Sequence, residues 1–596
     1  MTVAGSTALG PLDINGNSTA DVTDRLRAGW PAADGPTITA TVTIGAIAPR
    51  PIELGVDESY RLSVDESGVH LDAPTDVGAR RGVETLLQLA TGGVDGAALG
   101  HVLVDDAPRL PWRGVLIDPC RHWVGVDTIL DTLDAMAAAK FNVLHLHLSD
   151  DQAFRLESHR WPELHRQGSD GRYFTRADVD RIVDHAAAAG IRVVPEIDMP
   201  GHVTSWLVGY PSLAATPGPF EIRTTLGIAG VALDPISAEV TEFVEGLLTE
   251  VVSLFPDQYL HVGGDEVSSE AWPNVDVGVV QRTFTTWVAE LVRSLGRTAV
   301  VWDEAWHPGL PAEVVTQVWR GHRRLRAAAA AHQPVLFSTP YYLDLGYDPS
   351  HHHVDPLCDE AEWNESRRRL HDDPMMGTWG PIAEAMNTEF EGTDPAPSTV
   401  DPATVLGGEA AMWSELVPER NLSMRLWPTA AAVADVLWGG LGADAAPLAS
   451  RLDAFARSLA ATTPTDVEAT RQARWLELAG GDSLLATAIA TLAGCCEPSK
   501  WYSRHASLPD GELDRPFDRF VDALAPSARS ASTDDPTEWR AAAERIVTAA
   551  TSPDAGEQLA ELAPLAQLLL AVCDGTPVDP AASRGEVTLT AKLVAS

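Results

Sequence analysis

The sequence has very little lysine, few cysteines and no long hydrophobic segment. Lysine occurs only at positions 140, 500 and 592, so arginine supplies the other 40 of the 43 basic residues, against 84 acidic residues. The formal net charge of −41 argues against nucleic acid or anionic lipid as a partner, because both bind to basic surfaces. The five cysteines form no CxxC pair, which argues against a disulfide scaffold or a zinc site.

Other absences narrow the function further. No apolar run approaches the roughly 20 residues that span a bilayer, so no membrane partner is expected. The first 18 residues, MTVAGSTALGPLDINGNS, lack the basic and apolar regions of a signal peptide, so a cytoplasmic location is expected. No GxGxxG or P-loop motif occurs, which argues against phosphate chemistry. The acidity fits either a GC-rich genome or adaptation to high salt.

The first part of the 596-residue chain, residues 1–107, is interpreted as a small α+β domain. TITATVTIGA (37–46) alternates as a strand does, and 58–74 contains two strand-like runs around an acidic glycine turn, which predicts a hairpin. Residues 76–93 have apolar residues at helical spacing and end in Gly-Gly, which is typical of a helix and its stop signal.

The second part, residues 108–445, predicts a (β/α)8 barrel of the TIM type. Short, almost continuously apolar segments recur eight times, and candidate helices at 126–139, 176–189, 237–254 and 279–295 lie between them. Buried strands that alternate with helices are typical of a parallel sheet, and eight such units are typical of this barrel. The candidate strands are RGVLID (113–118), FNVLHLHLS (141–149), IRVVPEID (191–198), YLHVGG (259–264), TAVVWD (298–303), EVVTQVW (313–319), QPVLFST (333–339) and VLGGEAAMW (405–413).

Two further segments complete the predicted α/β architecture. Residues 340–404 show little periodicity and are interpreted as a long loop inserted after the seventh strand. Residues 446–596 are rich in alanine and leucine and predict an all-α C-terminal domain, for which a packing or dimerisation role is favoured. Its candidate helices are 447–461, 467–479, 482–494, 516–524, 536–550 and 555–573.

Candidate functional residues follow the predicted strands, because barrel enzymes place catalysis at the carboxyl ends of their strands. Carboxylates and tryptophans are frequent there. Carboxylates accept hydrogen bonds from hydroxyl groups and supply general acids, and aromatic faces stack on pyranose rings, so the pattern favours a sugar substrate. These candidates include Asp118, Arg121, His122, Asp150, Asp151, Gln152, Glu196, Asp198, His202, Asp265, Glu266, Trp302, Asp303, Glu304, Trp319, Tyr341, Tyr342, Asp344, Trp413 and Glu415.

Six motifs together resemble the β-N-acetylhexosaminidases of glycoside hydrolase family 20. They occur in the family's order over about 300 residues, and the leading α+β unit is similar to the domain that usually precedes the family's barrel. An Asp–Glu pair alone would carry little weight, since Asp303–Glu304 is a second such pair. The motifs are RGVLIDPCRH (113–122), FNVLHLHLSDDQ (141–152), EIDMPGH (196–202), HVGGDE (261–266), YYLD (341–344) and WSE (413–415).

The resemblance implies substrate-assisted hydrolysis, in which the 2-acetamido oxygen of the substrate attacks C1 and forms an oxazolinium ion. Glu266 would be the general acid, and Asp265 would orient the acetamido group and stabilise its positive charge. Tyr342 would hydrogen-bond the acetamido oxygen. Asp150 and His202 would form a relay to Glu266, with Asp151 as an alternative to Asp150. No metal or organic cofactor is expected.

The resemblance also implies a set of sugar-binding residues. Arg113 and Glu415 would hold the same hydroxyl groups, Asp344 would reach another, and the tryptophans would enclose the ring and the acetamido methyl group. The positions are Arg113, Trp302, Trp319, Asp344, Trp413 and Glu415. His145, His147 and Cys120 are interpreted as buried structural side chains rather than as metal ligands or a reactive thiol.

Three functions remain open at this point. The first is exo-hydrolysis of terminal GlcNAc or GalNAc residues with retention of configuration. The second is release of a disaccharide, as by a lacto-N-biosidase, or transglycosylation within the same family. The third is carbohydrate binding without catalysis. The partner expected in each case is a GlcNAc- or GalNAc-containing saccharide, and a homodimer is possible.

Overall fold

The structure is a computed structural model in which a mixed sheet precedes a closed parallel barrel and a helical region. It describes residues 2–91, 98–273, 275–373, 376, 379–393, 395–442, 446–503, 513, 519–526, 535–552, 555–574, 576, 583–584 and 587–589.

The N-terminal region is a six-stranded sheet with two helices. Buried and exposed residues alternate along the third strand, as the sequence pattern predicts for a strand with one buried face. The predicted hairpin is present, with Val64 opposite Val69 in an antiparallel pair. The elements are β1 (Thr2–Ala8), β2 (Leu12–Gly16), α1 (Ala20–Gly29), β3 (Ile38–Ala46), β4 (Tyr60–Asp65), β5 (Gly68–Thr75), α2 (Asp76–Thr91) and β6 (Ala98–Asp106), and the sheet order is β1-β6-β4-β5-β3-β2.

Eight parallel strands close into the barrel, and each predicted strand is present. Most of their residues are buried on both faces, because helices cover the outside and side chains fill the inside. The strands are β7 (Trp112–Ile117), β8 (Val143–His147), β9 (Arg192–Glu196), β10 (Tyr259–His261), β11 (Thr298–Trp302), β12 (Val315–Val318), β13 (Val335–Phe337) and β14 (Val405–Met412), and β14 pairs with β7 to close the ring.

The helices around the barrel begin and end close to the predicted positions. Thr175 and Asp178 form a capping box that fixes the start of the helix Arg176–Ala188, since their side chains satisfy free backbone N–H groups. Residues 303–314, between β11 and β12, form turns instead of a helix. The helices are α3 (Val126–Ala138), α4 (Glu163–Gln167), α5 (Arg176–Ala188), α6 (Thr204–Gly209), α7 (Ala238–Leu254), α8 (Val277–Ser294) and α9 (His322–Ala330).

The insertion after the seventh strand is not the long loop that the sequence predicts. It contains α10 (Pro349–His352), α11 (Glu360–His371) and α12 (Gly380–Glu391). Trp363 of α11 packs against the rings of His322 and Phe337, so the insertion is anchored to the barrel. The helical pattern is hard to recognise because α11 buries only Trp363, Ser366, Leu370 and His371, and only two of these side chains are apolar.

The C-terminal region is helical, as predicted, and also contains a short three-stranded sheet. In the described part of the chain, no single helix is long and apolar enough to cross a bilayer; the helices Val467–Leu478 and Ser483–Gly494 reach that length and hydropathy only jointly, bent by 118°. The remaining elements are α13 (Glu419–Leu426), α14 (Thr429–Gly439), α15 (Leu448–Thr462), α16 (Val467–Leu478), α17 (Ser483–Gly494), β15 (Cys496–Pro498), α18 (Pro536–Ala550), α19 (Glu557–Ala560), α20 (Ala563–Cys573), β16 (Ser583–Arg584) and β17 (Val587–Leu589).

Candidate active site

The loop after β10 places two acidic side chains at the carboxyl end of the barrel. The Asp265 side chain is 15% exposed and the Glu266 side chain 35% exposed, so both can reach a ligand. Gly263 and Gly264 have positive φ angles of 65° and 96°, and a Cβ at Gly263 would lie 1.6 Å from Asp198 Oδ1. The two glycines in HVGGDE are therefore required by a left-handed turn and by this close approach.

Two neighbouring carboxylates accept hydrogen bonds from the backbone of this loop. Gly264 N donates to Asp198 Oδ1 at 3.0 Å, and Glu266 N donates to Glu304 Oε2 at 3.1 Å. Glu266 itself has a φ of 50°, a conformation that is uncommon for a residue other than glycine. The hydrogen bond that Glu266 N donates to Glu304 supports this conformation and so helps to direct the Glu266 side chain.

The predicted relay is present in the geometry. Asp150 Oδ1 lies 3.3 Å from His202 Nδ1, and His202 Nε2 lies 3.5 Å from Glu266 Oε2. The two adjacent aspartates differ in their contacts. Asp151 accepts hydrogen bonds from Thr204 and from the backbone N–H of Ala229, so its role is to hold two loops, whereas Asp150 faces the imidazole.

The acidic groups of the site differ in the proton affinity that their surroundings give them. Burial and the charge of Asp198 raise the pKa of Asp265 well above its ordinary value. Burial, with Glu196 nearby, raises the pKa of Asp198 to about 7. Asp150 is also buried, but Arg121 and His202 hold its pKa well below the usual range. Without a substrate, the surroundings therefore favour the protonated form of Asp265.

Three tryptophans and a tyrosine form the predicted aromatic wall. The rings of Trp302 and Trp413 lie 5.9 Å apart, those of Tyr342 and Trp413 lie 6.1 Å apart, and Trp319 stacks on Tyr342 at 6.3 Å and 12°. Trp302 is only 1% exposed, and its Nε1 donates to Glu196 at 2.8 Å. Trp302 therefore lies at the buried base of this aromatic cluster and not on its exposed face.

Asp344 and Glu415 form a second acidic pair on the other side of the mouth. Burial and the charge of Glu415 raise the pKa of Asp344 well above its ordinary value. Burial also raises the pKa of Glu415, with Asp118 contributing and Arg121 opposing. Among the described residues, Asp344 Oδ1, Asp265 Oδ1 and Trp319 Nε1 are buried without a hydrogen-bond partner. Unpaired buried polar atoms are costly, and sugar hydroxyl and amide groups are suitable partners for them.

Arg113 does not belong to this site, which corrects the sequence-based assignment. It lies near the start of β7, at the opposite end of the barrel, and its side chain is fully buried. Its guanidinium contacts Glu58 at 2.6 Å and donates to the carbonyl groups of Lys140 and Leu110. Arg113 therefore ties the N-terminal region to the barrel.

Arg121, from the same motif, is the arginine at the mouth. Its guanidinium lies over the ring of Trp413 at 5.1 Å and contacts Asp150 at 2.8 Å and Asp118 at 3.2 Å. The charge of Glu415 also helps to raise the pKa of Arg121. This arginine follows the carboxyl end of β7, where the barrel presents functional residues, so Arg121 and not Arg113 lies where a substrate could be reached.

Residues from outside the barrel also reach the mouth, and the sequence analysis missed them. Trp501 and Tyr502 line a cleft together with Trp319 and Tyr342. The charges of Asp344, Glu266 and Glu415 contribute to the raised pKa of Tyr502, after burial. No motif marks Tyr502, because it is distant in sequence from the residues that it meets.

Several groups of potential metal ligands lie close together among the described residues. In most of them a histidine is already paired with carboxylates: burial opposes its charged form, yet Glu409 and Glu196 raise the pKa of His145 to about 9, and Asp150 raises that of His202 well above its ordinary value. A protonated imidazole does not bind a metal, so the contacts favour ion pairs. The groups are Asp118–Cys120–His147, His145–Glu196–His261, Asp150–Asp198–His202 and His202–Asp265–Glu266.

Comparison with known proteins agrees with the geometry. The model of the glycosyl hydrolase family 20 catalytic domain matches residues 110–441, and a second model, described as β-acetyl hexosaminidase like, matches residues 32–89. The chain is 32% identical over 414 residues to β-hexosaminidase subunit beta of Entamoeba histolytica, covering 65% of this chain and 70% of that protein. It is 34% identical over 411 residues to the mouse β-hexosaminidase subunit beta, covering 65% and 69%.

Solved structures extend the comparison beyond the barrel. A Flavobacterium johnsoniae chitobiase matches 100% of this chain and 96% of its own chain, with a TM-score of 0.82 and 26% identity. A mutant Streptomyces plicatus β-hexosaminidase in complex with its product GlcNAc matches 77% of this chain and 93% of its own, with a TM-score of 0.60 and 26% identity. The chain therefore belongs to glycosyl hydrolase family 20 and is a glycoside hydrolase of the β-hexosaminidase type.

Proposed function

We propose that the protein is an exo-acting, retaining β-N-acetylhexosaminidase that uses the acetamido group of its substrate as the nucleophile. The observation that carries this proposal is the placement of Asp265 and Glu266 beside Tyr342 and the tryptophan wall at one barrel mouth. One carboxyl group can then act on the leaving oxygen while its neighbour binds the acetamido N–H.

The first half of the reaction forms the oxazolinium ion. The acetamido oxygen attacks C1, the bond from C1 to the glycosidic oxygen breaks, and Glu266 transfers its proton to that oxygen. Asp265 accepts a hydrogen bond from the acetamido nitrogen and stabilises the positive charge that develops on the ring. Tyr342 donates a hydrogen bond to the acetamido oxygen and so aligns it with C1.

The second half reverses these roles. Water attacks C1 from the face that the leaving group occupied, and the Glu266 carboxylate takes a proton from it. The bond from C1 to the acetamido oxygen breaks and the acetamide is restored. Two inversions at C1 give net retention. Arg121, Asp344 and Glu415 surround the other hydroxyl groups of the terminal sugar, which supports removal of one residue at a time from the chain end.

We further propose chitobiose as a substrate, because the neighbour that matches the whole chain is described as a chitobiase. The test measures release of GlcNAc from chitobiose and of nitrophenol from 4-nitrophenyl β-GlcNAc, with NMR of the first-formed anomer. We expect the β-anomer first and a loss of at least about 100-fold in kcat/KM on chitobiose in Glu266→Gln. Glu270→Gln, an exposed position in the same loop, is the matched control and should keep wild-type activity.

Two results would contradict this proposal. The first is α-anomer as the first product. The second is cleavage of aryl lacto-N-bioside without any cleavage of aryl β-GlcNAc, which would indicate release of a disaccharide.

A further inference from the structure

A chain of carboxylates and imidazoles runs through the interior of the barrel toward Glu266. Glu409 Oε2 on β14 lies 2.9 Å from His145 Nδ1 on β8, and His145 Nε2 lies 3.2 Å from Glu196 Oε2 on β9. The same oxygen of Glu196 lies 2.5 Å from His147 Nδ1. Hydrogen bonds and an ion-pair contact thus connect β14, β8 and β9 across the core.

The series of carboxylate and imidazole side chains continues to the mouth of the barrel. His147 Nε2 lies 2.9 Å from Asp150 Oδ2, and the other oxygen of Asp150 contacts His202, which in turn contacts Glu266. Every member except Glu266 is at most 4% exposed. Acidic and imidazole groups alternate along the whole path, so each imidazole lies between two carboxyl groups.

The surroundings favour the charged form of the buried histidines and carboxyl groups of this path. Burial opposes ionisation, but Glu196 and Asp150 raise the pKa of His147 well above its ordinary value. Burial likewise opposes ionisation of Glu196, but His261, 3.1 Å from Oε1, together with His147 and His145 holds its pKa well below its ordinary value. The directions of these pKa shifts favour imidazolium and carboxylate forms at the buried positions of the path.

Such a core is costly to build. TIM barrels usually fill their interior with branched hydrophobic side chains, and buried ion pairs often contribute less stability than well-packed apolar residues. A contribution to function would explain why the barrel retains them. The path reaches a solvent-accessible group at one end only, where it meets the proposed general acid.

We propose that Glu196 and His147 are positioning residues that hold His202 against Glu266 through Asp150. This inference rests on the proposed role of Glu266. When Glu266 has given its proton to the glycosidic oxygen, the His202 imidazolium stabilises the carboxylate that remains. Without His147, Asp150 would keep Arg121, 2.8 Å away, the backbone N–H of Asp151 and His202 as partners, but no contact from the barrel core would fix the orientation of its carboxylate toward the ring.

Other charged groups also face the His202 ring. Asp151 lies 3.9 Å from Nδ1, Asp265 lies 3.8 Å from Nε2, and Asp198 contributes to the raised pKa of the ring. These groups keep a positive charge on His202 even when the core path is broken. Loss of Glu196 should therefore alter the alignment of the ring more than its charge.

The test compares two substrates that differ in their need for a general acid. Glu196→Gln keeps the size of the side chain, and the new amide oxygen can still accept a hydrogen bond from Trp302 Nε1. The substitution removes the carboxylate that lies between the imidazoles of His145 and His147. We expect kcat/KM on chitobiose, which has a poor leaving group, to fall about 10- to 100-fold. On 2,4-dinitrophenyl β-GlcNAc, whose leaving group departs without a proton, kcat/KM should stay within about threefold.

A matched control separates positioning from general loss of stability. Asp257→Asn breaks a buried ion pair with Arg192, at 2.7 and 2.9 Å, at the start of β9 and far from the mouth. It should lower thermal stability and change both substrates equally. His147→Gln breaks the same path beside Glu196 and serves as a second variant if Glu196→Gln does not fold.

A double variant tests whether Glu196 acts through His202. If it does, Glu196→Gln combined with His202→Asn should be no slower on chitobiose than His202→Asn alone. Equal losses on both substrates, or fully additive losses in the double variant, would overturn the proposal. A wild-type chain that cleaves neither substrate would instead contradict the proposed function.

Discussion

Replacing Arg121 with glutamine should slow catalysis, whereas the same change at Arg113 should mainly destabilise the fold. Arg121 lies at the mouth over Trp413, with its side chain 10% exposed. A charge-assisted hydrogen bond to a sugar hydroxyl contributes about 1.5–3 kcal/mol, which corresponds to roughly a 10- to 150-fold change in kcat/KM. We therefore expect a loss of this size in Arg121→Gln.

We expect the opposite result for Arg113→Gln, a loss of stability and not of activity, because Arg113 is buried at the other end of the barrel. Removing one partner from a buried ion pair costs about 3–5 kcal/mol. Glu58 keeps Arg81 as a second partner at 2.7 Å, so the lower end of this range applies. Arg113→Gln should lower the melting temperature by about 5 °C or more and leave kcat/KM within about threefold of wild type.

The assay for both variants is steady-state hydrolysis of 4-nitrophenyl β-GlcNAc together with thermal unfolding followed by circular dichroism. Wild-type activity in Arg121→Gln would refute the reasoning. So would a tenfold loss of activity in a fully stable Arg113→Gln, since that would return the sugar-binding role to Arg113.

Three further predictions concern the loop after β10 and its neighbours. Gly263→Ala should reduce kcat/KM at least about 100-fold, because its Cβ would meet Asp198 Oδ1 at 1.6 Å; wild-type kinetics would contradict the close packing. Tyr502→Ala should raise KM about 3- to 10-fold with little change in kcat, and an unchanged KM would remove Tyr502 from the site. Burial and neighbouring acids raise the pKa of Glu304 to about 7, so folding stability falls as pH rises from the ordinary glutamate value to about 7. The melting temperature of Glu304→Gln should therefore exceed that of wild type by more at pH 8 than at pH 5, and a constant difference would contradict the shift.

The barrel could be predicted from the sequence because its strands are buried on both faces. Residues 115–117 and 299–302, for example, are then apolar at every position. The helices of the insertion could not be predicted in this way, because Trp363 and Leu370 are the only apolar side chains that α11 buries. Its remaining surface is polar, so the apolar stripe is too narrow to produce a clear helical period.

In the candidate site, too, residues placed by their position next to a strand could be predicted from the sequence, whereas residues placed by long-range packing could not. Asp265, Glu266 and Trp413 follow strands directly, so their place at the mouth could be predicted from position alone. Arg113 was misassigned because it precedes the strand interior, and a side chain at a strand's start lies at the opposite barrel end from one that follows it. Tyr502 reaches the mouth only through the packing of the C-terminal region, which no local pattern encodes.

The participation of the acetamido group is tested most directly by weakening its oxygen as a nucleophile. The substrates are 4-nitrophenyl β-glycosides that carry acetyl, fluoroacetyl, difluoroacetyl or trifluoroacetyl on the 2-amino group. If the acetamido oxygen attacks C1, log kcat/KM should fall steeply and steadily with each added fluorine. A kcat/KM that is independent of fluorination would show that a protein side chain or water attacks C1 instead.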